Sequence, residues 1–212
     1  MVFRDREEAA RMLAERLDEY RGRNPLILAV PRGAVPMGRI LADALEGELD
    51  VVLVRKLGAP GNPELAIGSV TEDGDVSVSR FAWEIGVTRE DVDQEAAEQL
   101  EVLRSRRRHY TPIRSPVDPA SRVVIVVDDG VATGATLLGA LAALRKRAPA
   151  ELVVAVGVAP AQTLARLRQA ADRVVCLATP EPFLAVGQFF RDFDQVSDEE
   201  VMRILAEDTS DA

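Results

Sequence analysis

The sequence predicts an α/β fold, with a mainly parallel central sheet flanked by helices. Three observations predict it. Strand-like and helix-like periods alternate along most of the chain. The strand-like segments, among them LILAV, VVIVV and LVVAV, are continuous apolar runs, as strands buried on both faces require. The stretch VVIVVDDGVATGATL (123–137) ends one such run in two aspartates and a loop of small residues. That places polar chemistry at the carboxyl end of a strand, where ligands bind in open parallel sheets.

In chain order, residues 5–21 carry Ala9, Met12, Leu13, Arg16 and Leu17 at helical spacing, an amphipathic opening helix. LILAV (26–30) is a short buried strand. A helix follows within 33–47, its early Pro36 sitting in the first turn, where a missing amide costs nothing. VVLVR (51–55) is the next strand. KLGAPGNPELAIG (56–68) is rich in Gly and Pro and long for a connection, which marks it as functional or mobile. TEDGDVSVS (71–79) reads as a hairpin turning at Asp73-Gly74. Residues 88–110 form one long charged helix opened by Thr88 with Asp91 three residues on. SPVDPAS (115–121) is a linker. Strand 122–128, helix 134–147, strand 151–157, helix 160–171, strand 173–178 and a last helix near 197–207 complete a single domain over 1–212.

At 212 residues, 47% apolar and 29% charged, the chain has the composition of an ordinary globular domain. No apolar run approaches the roughly 20 residues that span a bilayer. The opening MVFRDREEAARML is charged and lacks a signal-peptide apolar region, so a cytoplasmic location is expected. A single cysteine, Cys176, excludes an internal disulfide, and a single histidine, His109, leaves no zinc cluster. The formal charge of −9 argues against broad nucleic-acid binding. Only Lys56 and Lys146 are lysines among 26 basic residues, which draws attention to Lys56 beside the Gly/Pro-rich segment.

The aspartate loop has a definite chemistry. Gly130 and Gly134 let the backbone turn into the following helix, whose free amides and dipole suit a phosphate. Thr133 and Thr136 add hydroxyls. Asp128 and Asp129 would repel that phosphate, but they suit the two hydroxyls of a ribose. The motif reads as a ribose-phosphate clamp. It fits neither GxxxxGK[ST], since Ala135 stands where lysine belongs, nor GxGxxG. The alternative is a plain strand-to-helix turn with a cap.

The pattern resembles the ribose-phosphate signature of the type I phosphoribosyltransferases: four or more apolar residues, two acids, and a loop ending T-G-x-T. The resemblance implies a type I phosphoribosyltransferase-like fold acting on 5-phosphoribosyl 1-diphosphate. Asp128 and Asp129 would take the ribose 2′- and 3′-hydroxyls. Gly130, Val131, Ala132, Thr133, Gly134, Ala135 and Thr136 would hold the 5′-phosphate. Purine-salvage members often have an aspartate where Ala132 stands, a departure that puts hypoxanthine- or guanine-type chemistry in doubt. AVPRGAVPMG (29–38) falls where the family has a diphosphate-binding loop, and Arg32-Gly33 matches its cation-glycine pair. VRKLGAPGNPELAIG (54–68) falls where the family has a flexible catalytic loop. Its Arg55 and Lys56 are similar to the opening of that loop in adenine and orotate phosphoribosyltransferases, and would meet diphosphate as catalytic residues. Snorkelling surface cations are the alternative there.

The family also has a hood over the base, expected here at 179–212, with 80–115 as a helical insertion. TPEPFLAVGQFFRDFDQVSDEEV (179–201) holds Phe183, Phe189, Phe190 and Phe193, four of the six phenylalanines. Phe183, Val186 and Gly187 lie in like places to the F-V-V-G-Y segment of hypoxanthine-guanine enzymes, with the following acid shifted to Asp192. Phe183, Val186 and Phe189 are the candidate base contacts; a lid packed on the core is the alternative. Arg104, Arg106, Arg107 and Arg108 end the long helix, either as a solvated cationic terminus or as a phosphate or nucleic-acid patch. The expectation is transfer of a phosphoribosyl group to a nitrogenous base with release of diphosphate. Mg²⁺ would be carried mainly by ligand and water, with no dedicated metal residues, and homodimers are common in the family. The alternatives are a sensor of 5-phosphoribosyl 1-diphosphate that binds RNA or DNA, and a hydrolase or synthase relative.

Overall fold

The computed structural model describes residues 2–207; the last residues of the expected hood, 208–212, lie outside the described residues. Five strands form a parallel sheet: β1 (Leu26–Ala29), β2 (Glu48–Val51), β6 (Val123–Gly130), β7 (Glu151–Val158) and β8 (Arg173–Ala178), in the order β2-β1-β6-β7-β8. Alternate residues of these strands face opposite sides, as the strand period dictates. Ile27, Ala29, Ile125, Val127, Val153 and Ala155 pack with α1 (Arg6–Arg16) and α2 (Val35–Leu45). Leu26, Leu28, Val124, Val126, Val154 and Val156 pack with α5 (Ala135–Lys146) and α6 (Ala161–Ala170). Burial on both faces is why the strands read as unbroken apolar runs.

Chain order reverses between β1 and β6. From β1 the chain crosses through α2 to β2 on one side; from β6 it proceeds through α5 and α6 to β7 and β8 on the other. The carboxyl ends of β1 and β6 therefore lie side by side at the switch point, the place where ligands bind in open parallel sheets. The loop after β1 carries Arg32-Gly33, and the end of β6 carries Asp128 and Asp129. Two segments far apart in sequence meet there because the sheet topology requires it.

Three expectations are corrected. VVLVR (51–55) is not one strand. Val51 ends β2, while Val54 opens β3 (Val54–Ala59), which pairs antiparallel with β4 (Asn62–Thr71), itself paired with β5 (Val76–Val78), in a separate three-stranded sheet. The intervening Val52 and Leu53 are buried without strand pairing, so the apolar run continues through the break and hides it. The expected irregular loop at 56–68 is accordingly a hairpin. Pro60-Gly61 makes its turn, with Gly61 at φ +72°, the residue order of a type II turn. The opening helix is also shorter than 5–21, since a 3-10 turn at Asp18–Tyr20 follows α1.

The hairpin at Asp73-Gly74 and the long helix α4 (Arg89–Tyr110) match expectation, and Thr88 and Asp91 form the reciprocal cap. A short helix α3 (Arg80–Glu84) precedes α4, and α7 (Asp198–Glu207) closes the described chain. Among the described residues no helix is long and apolar enough to cross a membrane.

The small sheet packs on α5 and approaches it most closely at Gly139. A side-chain carbon at Gly139 would lie 1.8 Å from the Ser69 hydroxyl oxygen and 2.8 Å from its Cβ. Gly139 thus sets the approach of β4 to α5. Substitution of Gly139→Val should destabilise the chain by about 1–3 kcal/mol through overpacking. Urea unfolding checks this, and an unchanged midpoint would show that the two layers are not held at that distance.

Candidate active site at the sheet switch point

The site begins with an electrostatic problem. β6 carries its apolar run to the edge of the sheet and ends in two neighbouring carboxylates. The Asp129 side chain is 12% exposed and Asp128 is partly buried. Burial pushes the Asp128 carboxyl well above the usual carboxylate range, and the neighbouring Asp129 charge pushes it further. The amides of Asp129 and Gly130 pull the other way; Asp129 donates its amide to Asp128 Oδ1 at 2.8 Å. Asp129 has a different solution. Arg6, at the first position of α1, donates Nε to Asp129 Oδ2 at 2.8 Å, with its own side chain 13% exposed.

The loop after the acids is an anion cradle. Gly134, at φ +78°, is the N-cap of α5, a conformation an L side chain resists. The Val131 amide donates to the Val158 carbonyl, which ties the loop to β7. The amides of Ala132, Thr133, Gly134, Ala135 and Thr136 have no acceptor among the described residues. Five consecutive free amides at the positive end of a twelve-residue helix suit a phosphate. The loop is braced from α6: Thr163 donates its hydroxyl to the Ala132 carbonyl at 2.6 Å, and Arg166 donates to the Thr133 carbonyl at 3.0 Å. Ala132 and Thr133 remain exposed.

Gly33 faces the acids directly, since a side-chain carbon there would lie 2.6 Å from Asp129 Oδ2. Arg32 is exposed, with Nη1 3.5 Å from Asp198 Oδ2 on α7. Val186 packs against Gly130 at the end of β6. The fold thus brings together Asp128, Asp129, the 130–136 loop, Gly33 and Val186.

Other expected residues stand apart. Arg55 and Lys56 lie on β3 in the small sheet, and no hydrogen bond or ion pair joins either to the clamp among the described residues. Lys56 pairs with Glu64 across the hairpin at 2.9 Å, and Arg55 has no such partner among the described residues. Phe183 and Phe189 face each other with ring centroids 5.1 Å apart, and Phe189 is buried in the core. Phe190 and Phe193 stack at 5.0 Å, and Phe3 packs on Phe190 at 5.4 Å. The aromatic segment is therefore largely self-packed, leaving Phe183 partly exposed.

The arginine cluster is divided. Arg107 turns inward and ion-pairs with Glu72 and with Asp50, 3.5 Å away. Burial raises the Asp50 carboxyl above its ordinary range, although the Val117 amide and Arg107 oppose the shift. Arg104 pairs with Glu101, and Arg106 lies 3.9 Å from Asp198. A cavity of about 210 Å³ lies beside Arg107, lined by Asp50, Thr71, Glu72, Val117 and Ala140; no residue of the clamp lines it.

Sequence reading missed Arg6, Thr163 and Arg166. Only Arg6 left a trace: a cation at the first position of a helix opposes the dipole, and Glu7 and Glu8 follow it. Among the described residues no group of three or more His, Cys, Asp or Glu could hold a metal ion.

Comparison with known proteins gives the family. The phosphoribosyl transferase domain family matches residues 5–192. The Mycobacterium tuberculosis protein named "Putative phosphoribosyl transferase Rv0571c" is 40% identical over 206 residues, 96% of this chain and 46% of its own length. The chain thus spans about half of that relative. The crystal structure of TT1426 from Thermus thermophilus superposes with a TM-score of 0.86 at 44% identity, covering 98% of this chain and 99% of that one. The family match over residues 5–192 and the 40% identical relative show that this chain belongs to the phosphoribosyl transferase domain family.

Proposed function

We propose that the chain transfers the 5-phosphoribosyl group of 5-phosphoribosyl 1-diphosphate to a nitrogenous base, with release of diphosphate. The observation that carries this reading is the row of five free amides at the start of α5, directly behind two partly buried carboxylates. A phosphate on the amides and a ribose diol on the acids use both features at once. The C1–O bond to diphosphate breaks, a C1–N bond forms, and the nitrogen's proton leaves with diphosphate or solvent. Ala132 offers no group to take that proton.

The chain's own contribution is positioning and charge. Asp128 and Asp129 hold the ribose, the loop anchors the 5′-phosphate, and Arg32 meets the leaving group. Arg55 and Lys56 join when the hairpin closes over the ligand. The exposed Lys56–Glu64 pair is weak enough to yield to a diphosphate. Mg²⁺ would be carried mainly by ligand oxygens and water, beside the hard carboxylate oxygens of Asp128 and Asp129. Mg²⁺ bound on the diphosphate would neutralise charge on the leaving group.

Three outcomes are expected. The pair Asp128→Asn/Asp129→Asn should lower base-dependent diphosphate release by at least about a hundredfold, the loss of charged hydrogen bonds to both hydroxyls. A panel of purines, pyrimidines and nicotinate checks this; unchanged release would remove the acids from the ribose. Arg55→Ala/Lys56→Ala should reduce kcat by roughly ten- to a hundredfold with an unchanged melting temperature, since neither residue supports the core. An effect on stability instead would make them structural.

The third concerns the ligand-free chain. Asp128 titrates higher folded than unfolded, so its ionisation costs stability as pH rises from the ordinary carboxylate range through the raised value. Asp128→Asn keeps the acceptor oxygen and removes the charge. It should raise the melting temperature at neutral pH, and the gain should vanish in acid. Scanning calorimetry across pH tests the sign.

A further inference from the structure

We propose that Arg6 is a diphosphate-binding residue of this site, a fixed cation set between the ribose acid Asp129 and the loop after β1. The proposal rests on the phosphoribosyl reading above and deepens it. Arg6 occupies the first position of α1, where the helix dipole disfavours a cation. Three contacts hold it there. Nε donates to Asp129 Oδ2 at 2.8 Å, Nη1 donates to the Asp194 carbonyl at 2.7 Å, and the guanidinium carbon sits 3.8 Å over the Phe193 ring.

These contacts leave Nη2 unused, with no acceptor for it among the described residues. Its direction is informative. A side-chain carbon built on Gly33 would lie 3.2 Å from Nη2 and 3.4 Å from Nε. The amino group therefore lies close against the backbone of the Arg32-Gly33 loop, at a spot that also lies 2.6 Å from Asp129 Oδ2 and that only the absence of a side chain leaves unfilled. A guanidinium with an open N–H edge is suited to a phosphoryl oxygen. Its position also removes a conflict: Asp129 beside a diphosphate would repel it, and Arg6 turns that acid into half of a neutral pair. The leaving group would then meet two unlike arginines. Arg6 is pinned on three sides, whereas Arg32 is 40% exposed and lightly held by Asp198.

The test is calorimetric titration of the full chain, in Mg²⁺, with inorganic diphosphate, 5-phosphoribosyl 1-diphosphate and ribose 5-phosphate. Wild type is compared with Arg6→Gln and Arg6→Lys. Arg6→Gln should weaken both diphosphate ligands by about tenfold or more, while ribose 5-phosphate, which has no diphosphate, changes by less than about threefold. Arg6→Lys should recover part of the loss, as a charge without the planar fork. Equal diphosphate affinity in wild type and Arg6→Gln overturns the proposal and leaves the ribose-phosphate clamp standing. An equal loss for all three ligands also overturns it, because Arg6 would then act only as a prop for Asp129. A wild type that binds none of the three overturns the clamp as well. If Arg6→Gln fails to fold, the same selective loss, smaller in size, is sought in Arg6→Lys.

Discussion

The site is organised around the cost of placing two carboxylates, side by side, at the buried end of a central strand. Neither charge is tolerated there for nothing. Asp129 receives a guanidinium from α1, 123 residues earlier in the chain. That one ion pair fixes much else. The first turn of α1 must reach the carboxyl edge of the sheet, and the segment around Phe193 and Asp194 must lie alongside to hold the arginine. The loop after β1 must approach without a side chain at Gly33. Asp128 receives two backbone amides and the neighbouring Asp129 carboxyl but no cation, so burial still holds its carboxyl well above the ordinary range.

Two scaffolds of different firmness surround that pair. The acids and the amide loop stand on the five-stranded sheet, buried on both faces and braced by Thr163 and Arg166 from α6. Arg55 and Lys56 stand on a hairpin of the small sheet, whose turn is exposed and whose lysine is paired only at the surface. The two parts thus differ in how firmly they are held: one is buried on both faces, the other is a hairpin with an exposed turn.

Much of this was legible in the sequence, and the limits have physical causes. Four of the five parallel strands were readable because burial on two faces leaves mainly apolar residues, and the aspartate loop stood out because acids and glycines stand where such a strand stops; β2, Glu48-Leu49-Asp50-Val51, carries two acids and did not read as a strand. The break between β2 and β3 was not. Val52 and Leu53 are buried outside any strand, so hydrophobicity continues where pairing does not. The hairpin at 54–71 was concealed by Gly58 and Pro63, residues that look like loop but are accommodated at bulged positions. Arg107 read as part of a charged helix end, yet its ion pairs are made with Asp50 and Glu72, contacts no local pattern encodes. The phenylalanines were conspicuous, but sequence could not say that they would pack chiefly on one another.

The Phe3–Phe190 bridge has a mechanical consequence. The Phe3 amide donates to the Phe189 carbonyl, the Arg191 amide to Phe3, and the Asp192 amide to Arg4. Two distant stretches of chain are thereby zipped together beside Asp129. A pull applied through the first residues would be carried by this short zipper and by Arg6 before it reached the sheet. The first turn of α1 and the segment around Phe193 therefore stay in register with each other, and Arg6 with them.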